Sequence, residues 1–221
     1  MIRLYRAYWS TNCERVALAL AHKGLEAESV LIDYSDRSTV ERVSGQPLVP
    51  VIEDAGQVVF DSIAIVRHLD DRYPEPRLFP TEPAHRADVD AFLEWFERVW
   101  KQAPNAIERE LRSPDPDHTR VAASAARMDA WLDWFAHLLA VRDFLMGDEL
   151  SAADCAGFPF LKYARSRDPA DDELFHRILD EHQEIAGRSR LAAWIDRIDA
   201  LPREYGRTVE DETGGSDADG P

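Results

Sequence analysis

The first eighty residues alternate between two hydrophobic patterns. Short runs of apolar and β-branched residues, typical of strands, occur at residues 2–8, 29–33, 49–53 and 58–60. Segments with apolar side chains three and four residues apart, typical of amphipathic helices, occur at residues 14–23, 37–43 and 62–72. The predicted order is therefore βαβαββα. Strand–helix–strand units pair in parallel and the late hairpin adds an antiparallel edge, which predicts a thioredoxin-like domain.

The pattern changes after a proline-rich segment. Prolines at four positions between residues 74 and 83 interrupt both patterns, because neither a helix interior nor a central strand tolerates proline. Beyond residue 84 only helical spacing remains, in stretches near residues 92–100, 128–139, 151–165, 171–185 and 189–201. We predict a thioredoxin-like domain at 1–80, an all-helical domain at 84–205 and a disordered acidic tail at 206–221.

Composition excludes several classes of function. The 221 residues are 45% hydrophobic, which is enough for a core, and carry a formal net charge of −16. That charge argues against a nucleic acid or an anionic membrane as partner, because both bind basic surfaces. The chain shows no apolar run of ~18 residues and no signal-peptide pattern at its start, so we expect a cytoplasmic location. In that reducing compartment we expect no structural disulfide, and no metal site is predicted.

The turn between the first strand and the first helix carries the first candidate site. It reads Tyr8-Trp9-Ser10-Thr11-Asn12-Cys13. A helix N-terminus offers free N–H groups and partial positive charge, so it stabilises a thiolate, and the Ser10 hydroxyl can donate one more hydrogen bond. The alternative is that Ser10, Thr11 or Asn12 only caps the helix. Cys13 is a second candidate, because a helix N-terminus lowers the pKa of a cysteine thiol and makes it a nucleophile.

The dipeptide Val49-Pro50 is the second candidate site. A proline that begins a strand at a sheet edge is a candidate for a cis peptide bond. With a cis bond there, the N–H and C=O of Val49 would be available to pair with a peptide ligand, as an added strand does. The alternative is an ordinary trans proline in an edge strand.

The dipeptide Asp61-Ser62, at the start of the third predicted helix, is the third candidate site. We predict Ser62 as the N-cap, whose hydroxyl and neighbouring N–H groups can bind a carboxylate. Asp61 supplies a carboxylate for an amino group. Together the two residues suit the α-amino acid end of a γ-glutamyl peptide, and the alternative is again a simple cap.

The helical half carries one folding signal. Ser151 and Asp154 have capping-box spacing, for which we predict no chemistry. Cys155, just inside that helix, is predicted to be a core residue. The aromatic residues Phe92, Phe96 and Trp100 stand at helical spacing and are also expected in the core; the alternative is that they line a ligand pocket.

These motifs, in this order, resemble those of the soluble glutathione transferases. The resemblance extends from Met1 to about Leu201 and rests on Ser10 to Val16, Val49-Pro50, Asp61 to Ile65, Tyr73-Pro74 and the box from Ser151 to Asp154. It implies the fold of that superfamily, a thioredoxin-like N-terminal domain followed by a helical-bundle domain. It also implies glutathione as co-substrate, a small hydrophobic electrophile as second substrate, and a homodimer.

The resemblance also implies roles for individual residues. Ser10 stands where serine-type members keep the hydroxyl that hydrogen-bonds the glutathione sulfur. The predicted glutathione-binding set contains Ser10, Asn12, Val49, Pro50, Asp61 and Ser62. The usual Asn-Pro-x-Gly-x-Val-Pro stretch reads Ser-Gly-Gln-Pro-Leu-Val-Pro at residues 44–50.

Three functions remain open from the sequence. The first is a transferase that activates the glutathione thiolate for attack on an electrophile, with Ser10 as the key residue. The second is a thiol-disulfide oxidoreductase or deglutathionylase with Cys13 as nucleophile. The third is a binding module that keeps the fold without turnover. Another low-molecular-weight thiol in place of glutathione is compatible with the same residues.

Overall fold

A computed structural model describes residues 1–209 and divides them into two compact units. The first unit contains residues 1–68 and the returning segment from Arg203 onward, and the second contains residues 69–202. The sequence-based division at residues 80–84 follows the prolines instead. The structural division also places the end of the described chain, from Arg203, with the first unit.

A five-stranded mixed sheet forms the centre of the first unit. Its strands are β1 (Ile2–Arg6), β2 (Ala27–Leu31), β3 (Val51–Asp54), β4 (Gln57–Phe60) and β5 (Arg207–Thr208), in the spatial order β4-β3-β1-β2-β5. Its helices are α1 (Thr11–His22), α2 (Ser38–Ser44) and the first part of α3 (Ser62–Arg72), within which the division between the units falls. β1 pairs with β2 in parallel and with β3 antiparallel, and β3 pairs with β4 antiparallel. The predicted βαβαββα order is confirmed.

The sheet and α1 fix the position of the turn that follows β1. Tyr5 packs on one face of the sheet with Val30, Ile32, Val40 and Val51. Nearly every residue of α1 is buried, from Thr11 to Leu20 except Asn12. Because a close-packed interior resists displacement, the residues between β1 and α1 are held between two rigid elements.

The segment after residue 205 corrects one expectation. We predicted a disordered tail from residue 206, but Arg207–Thr208 forms β5 and pairs with Glu28 and Ser29 of β2. Gly206 has φ +80°, and a Cβ there would lie 2.8 Å from the carbonyl oxygen of Ala27, so the close approach needs glycine. A two-residue strand has no periodicity, which is why the sequence pattern missed it. The rest of the predicted tail, residues 210–221, lies outside the described residues.

The second unit is helical, as predicted. Its α-helices are α4 (Pro83–Trp95), α5 (Gln102–Leu111), α6 (His118–Leu138), α7 (Ala152–Leu161), α8 (Leu174–Glu181) and α9 (Ser189–Asp199). A π-helical turn, Phe96–Trp100, links α4 to α5, and a 3₁₀ turn, Lys162–Ala164, follows α7. Among residues 1–209, no helix has both the length and the apolar character needed to cross a bilayer.

The predicted capping box organises the core of the second unit. Asp154 is fully buried and accepts hydrogen bonds from the backbone N–H groups of Leu145 (2.8 Å) and Ser151 (2.9 Å). It also accepts from the indole N–H of Trp194 at 2.9 Å. The box therefore ties the start of α7 to α9 and to the preceding loop, and Cys155 beside it is a fully buried core residue, as predicted.

Candidate functional site

The three candidate motifs of the first unit meet at one end of the sheet. Strand register pairs Tyr5, near the end of β1, with Val51, and pairs Val51 with Phe60 at the end of β4. The turn after β1, the segment before β3 and the residue after β4 therefore lie at the same end of the sheet. This topology gathers Ser10, Val49 and Asp61 at one sheet end, although they lie far apart in the sequence.

Ser10 caps α1. Its backbone is extended, with φ −65° and ψ 111°, and its Oγ accepts a hydrogen bond from the backbone N–H of Cys13 at 3.3 Å. The side chain is half-buried, while Tyr8 and Trp9 before it are exposed. The predicted cap and the predicted thiol contact are compatible, because a hydroxyl that accepts one hydrogen bond still has a proton to donate.

Cys13 lies in the core beneath this turn. Its side chain is fully buried. Burial raises the pKa of its thiol to about 11, against the opposing effects of a hydrogen bond with Ser10, one with the Ala7 backbone and the charge of Arg6. A thiol with that pKa is ionised in about one molecule in ten thousand at pH 7. The geometry therefore favours Ser10 over Cys13 for handling a thiolate. Asn12, half-buried, lies between them in the chain.

The peptide bond between Val49 and Pro50 is cis, as predicted. Among residues 1–209, neither the N–H nor the C=O of Val49 makes a hydrogen bond. The loop before it is held by the Gln46 amide, which accepts from the N–H of Leu48 at 2.7 Å and donates to its carbonyl at 2.9 Å. A fixed segment with available main-chain groups can pair with an extended peptide.

The start of α3 corrects the predicted cap. Asp61, not Ser62, caps the helix: its Oδ1 accepts from the backbone N–H groups of Ile63 and Ala64, both at 3.0 Å. Asp61 adopts φ +70°, while Ser62 is the first helical residue and is buried. Sequence cannot rank two adjacent cap-forming residues, because the choice depends on which one takes the non-helical backbone.

Arg15 is a site residue that the sequence analysis did not single out. It is fully buried in α1 and its Nη1 donates to Ser62 Oγ at 3.1 Å. A positive charge therefore lies behind the start of α3. The available signal was an arginine among the apolar residues of an otherwise buried helix.

The aromatic residues of the second unit form its core and border a cavity. Phe96 and Trp100 are fully buried and stack at 4.5 Å, and Phe92 is 4% exposed, as expected for core residues. A cavity of about 680 Å³ lies between α4, α6 and the loop after α6. Its lining includes four large aromatic side chains, those of Phe92, Trp95, Trp131 and Trp134.

Comparison with known proteins gives the family. The N-terminal domain model of glutathione S-transferases matches residues 4–77, and the C-terminal domain model matches residues 118–197. Glutathione S-transferase hmp2 of Hypomyces subiculosus is 31% identical over 174 residues, which is 72% of this chain and 80% of that protein. Glutathione S-transferase Z2 of Arabidopsis thaliana is 39% identical over 92 residues, 39% of this chain and 40% of that protein.

A solved structure agrees with the sequence relatives. The crystal structure of a glutathione S-transferase from Rhodospirillum rubrum F11 superimposes with a TM-score of 0.72 at 26% identity. The match covers 93% of this chain and 90% of that one. The chain belongs to the glutathione S-transferase family.

Proposed function

We propose that this protein binds glutathione at the sheet end of the first unit and holds its sulfur as a thiolate beside Ser10. The thiolate then attacks a small hydrophobic electrophile. The observation that carries the proposal is the half-buried Ser10 hydroxyl at the N-terminus of α1. Its oxygen accepts from the Cys13 N–H, and its proton, which can donate to the Cys13 sulfur, can turn to a ligand sulfur instead. The adjacent motifs supply groups for the rest of the peptide.

The chemistry requires a lower thiol pKa. A free thiol with a pKa near ~8.5 is only a few per cent ionised at pH 7, and lowering the pKa by about two units makes thiolate the main form. That shift corresponds to ~2.7 kcal/mol. A hydrogen bond to a charged acceptor contributes about 1.5–3 kcal/mol, and the partial charge at a helix N-terminus adds to it. One hydroxyl and one helix end are therefore sufficient.

The peptide ends have separate partners. The main chain of Val49 would pair with the cysteinyl part of glutathione. The hydroxyl of Ser62 accepts from Arg15, so its proton is free to donate to the γ-glutamyl carboxylate. Asp61 uses Oδ1 for the cap, which leaves Oδ2 to accept from the ligand ammonium group.

The proposed reaction is thiolate addition or substitution. The thiol proton of glutathione passes to water, and the sulfur lone pair forms a carbon–sulfur bond with the electrophile. In an addition the π bond of the electrophile breaks and the resulting carbanion takes a proton from water. With an aryl halide the carbon–halogen bond breaks and halide leaves. A homodimer and a cytoplasmic location belong to the same proposal, and family membership supports both.

Three variants test the assignment. Binding to immobilised glutathione and conjugation of an aryl halide would be measured for the wild type, Ser10→Ala and Cys13→Ala. We expect Ser10→Ala to lose conjugation at least tenfold while Cys13→Ala stays within about twofold of the wild type. Loss of activity only in Cys13→Ala would instead assign the chemistry to that thiol, and glutathione binding without turnover in the wild type would identify a binding module.

A further inference from the structure

Arg6, the last residue of β1, is a largely buried cation whose contacts are electrically neutral. It is 9% exposed. Its Nε donates to Ser29 Oγ at 2.8 Å and to the backbone carbonyl of Tyr205 at 3.2 Å. Its guanidinium carbon lies 5.6 Å from the ring centroid of Tyr8 and 5.1 Å from that of Tyr205. Aromatic faces stabilise a cation without cancelling its charge.

Arg6 lies beside the turn that carries Ser10, because its guanidinium carbon is 5.6 Å from the ring centroid of Tyr8, two residues before Ser10. Three residues separate it from Ser10 along the chain. Side chains alternate between the faces of a strand, so Arg6 lies on the face opposite Tyr5. The charge of Arg6 acts on the thiol of Cys13, one turn into α1, where it opposes the increase in pKa that burial causes.

The C-terminal segment holds Arg6 in place. Arg203 forms an ion pair with Glu14 at 3.3 Å, and the N–H of Glu204 donates to the carbonyl of Ala17 at 2.9 Å. Both contacts attach the segment to α1, and β5 attaches it to β2. Tyr205 lies between these attachments and contributes both a ring and a carbonyl to Arg6.

We propose that Arg6 supplies a fixed positive charge that stabilises the glutathione thiolate, and that Tyr205 is the positioning residue that holds the guanidinium there. This inference rests on the proposed function. The Glu14–Arg203 pair is neutral as a whole, so it leaves the charge of Arg6 uncompensated among these groups. A preorganised charge in a partly buried site acts more strongly than the same charge in water.

The test is a titration of the bound thiol, followed by the ultraviolet absorbance of the thiolate. We expect Arg6→Met to raise the thiol pKa of bound glutathione by about one unit. At a pH well below that pKa, the thiolate fraction would then be tenfold lower than in the wild type. Arg6→Lys, which keeps the charge, should restore most of the shift. Tyr205→Leu should raise the thiol pKa by about half a unit, and the affinity for glutathione should change less than twofold.

Arg3→Met is the matched control. Arg3 lies on the same strand, on the Tyr5 face, and pairs with Glu28 and Glu53. Its replacement removes the same formal charge from β1, so a shift specific to Arg6 is separated from a change in net charge.

The outcomes separate the inference from the proposed function. One outcome overturns the inference alone: the wild type lowers the thiol pKa of bound glutathione, and both Arg6→Met and Tyr205→Leu lower it by the same amount. An equal shift in Arg3→Met also overturns it. A wild type that binds glutathione without lowering its thiol pKa overturns both claims. If Arg6→Met does not fold, Tyr205→Leu and Arg6→Lys are compared instead. A higher thiol pKa of bound glutathione in Tyr205→Leu, with no increase in Arg6→Lys, supports the inference, and an unchanged thiol pKa in Tyr205→Leu overturns it.

Discussion

Replacing Ser10 by alanine changes two quantities that can be measured separately. The first is stability, because the hydroxyl caps α1. Its hydrogen bond to the Cys13 N–H is 3.3 Å long, slightly beyond the usual range, so we expect a loss of about 1 kcal/mol in the free energy of unfolding. For a chain of this size that loss corresponds to a decrease in Tm of about 2–4 °C.

The second quantity is the thiol pKa of bound glutathione. Losing one hydrogen bond to the thiolate removes about 1.5–3 kcal/mol, so the thiol pKa should rise by about one to two units in Ser10→Ala. The pH profile of kcat/KM for aryl halide conjugation should move upward by the same amount. Near pH 6.5 the rate should fall at least tenfold, and near pH 9 the loss should be smaller.

A matched cap variant separates the two effects. Asp117 caps α6 in the second unit and accepts from the backbone N–H groups of Thr119 and Arg120. Asp117→Ala should therefore lower Tm by a similar amount and leave the pH profile unchanged. An unchanged thiol pKa in Ser10→Ala, or an equal shift of the profile in Asp117→Ala, would refute the reasoning.

Three further predictions concern the framework of the site. Folding raises the thiol pKa of Cys13 from 9.0 to about 11, so its stabilising contribution is present below pH 9 and is lost as the pH rises to 11. Urea unfolding should show that, between pH 9 and pH 11, the free energy of unfolding falls by about 2 kcal/mol less in Cys13→Ala than in the wild type. Gly206→Ala should increase the amide hydrogen-exchange rate of β5 by more than Gly56→Ala increases the rate in its own turn. Both glycines have positive φ, but only at Gly206 would the added Cβ clash with a backbone atom. Asp154→Ala should cost about 1–3 kcal/mol in unfolding free energy for each buried donor that it leaves without an acceptor, the Trp194 indole among them; equal stability by calorimetry would contradict this.

The fold was largely predictable because its signals are local. Hydrophobic spacing identified strands β1 to β4 and helices α1 to α3, and Ser151 with Asp154 has the spacing of a capping box that the structure contains. The cis bond before Pro50 was a candidate from its place at the start of a strand next to the sheet edge, and the resemblance to glutathione transferases implied it. These features depend on residues within a few positions of one another.

The candidate site was predictable only in part, because its charges act over long sequence distances. Arg15 meets Ser62 across 47 positions, and Arg6 meets Tyr205 across 199. No local pattern connects such pairs. The choice of Asp61 over Ser62 as cap is local in sequence, yet it depends on the backbone angle that the end of β4 imposes.

The most direct test of the central claim is a crystal structure of the protein with glutathione. The glutathione sulfur should lie within about 3.5 Å of Ser10 Oγ. The cysteinyl main chain should pair with Val49, and the γ-glutamyl carboxylate should contact the Ser62 hydroxyl. Glutathione bound away from this end of the sheet, or with its sulfur joined to Cys13, would contradict the account.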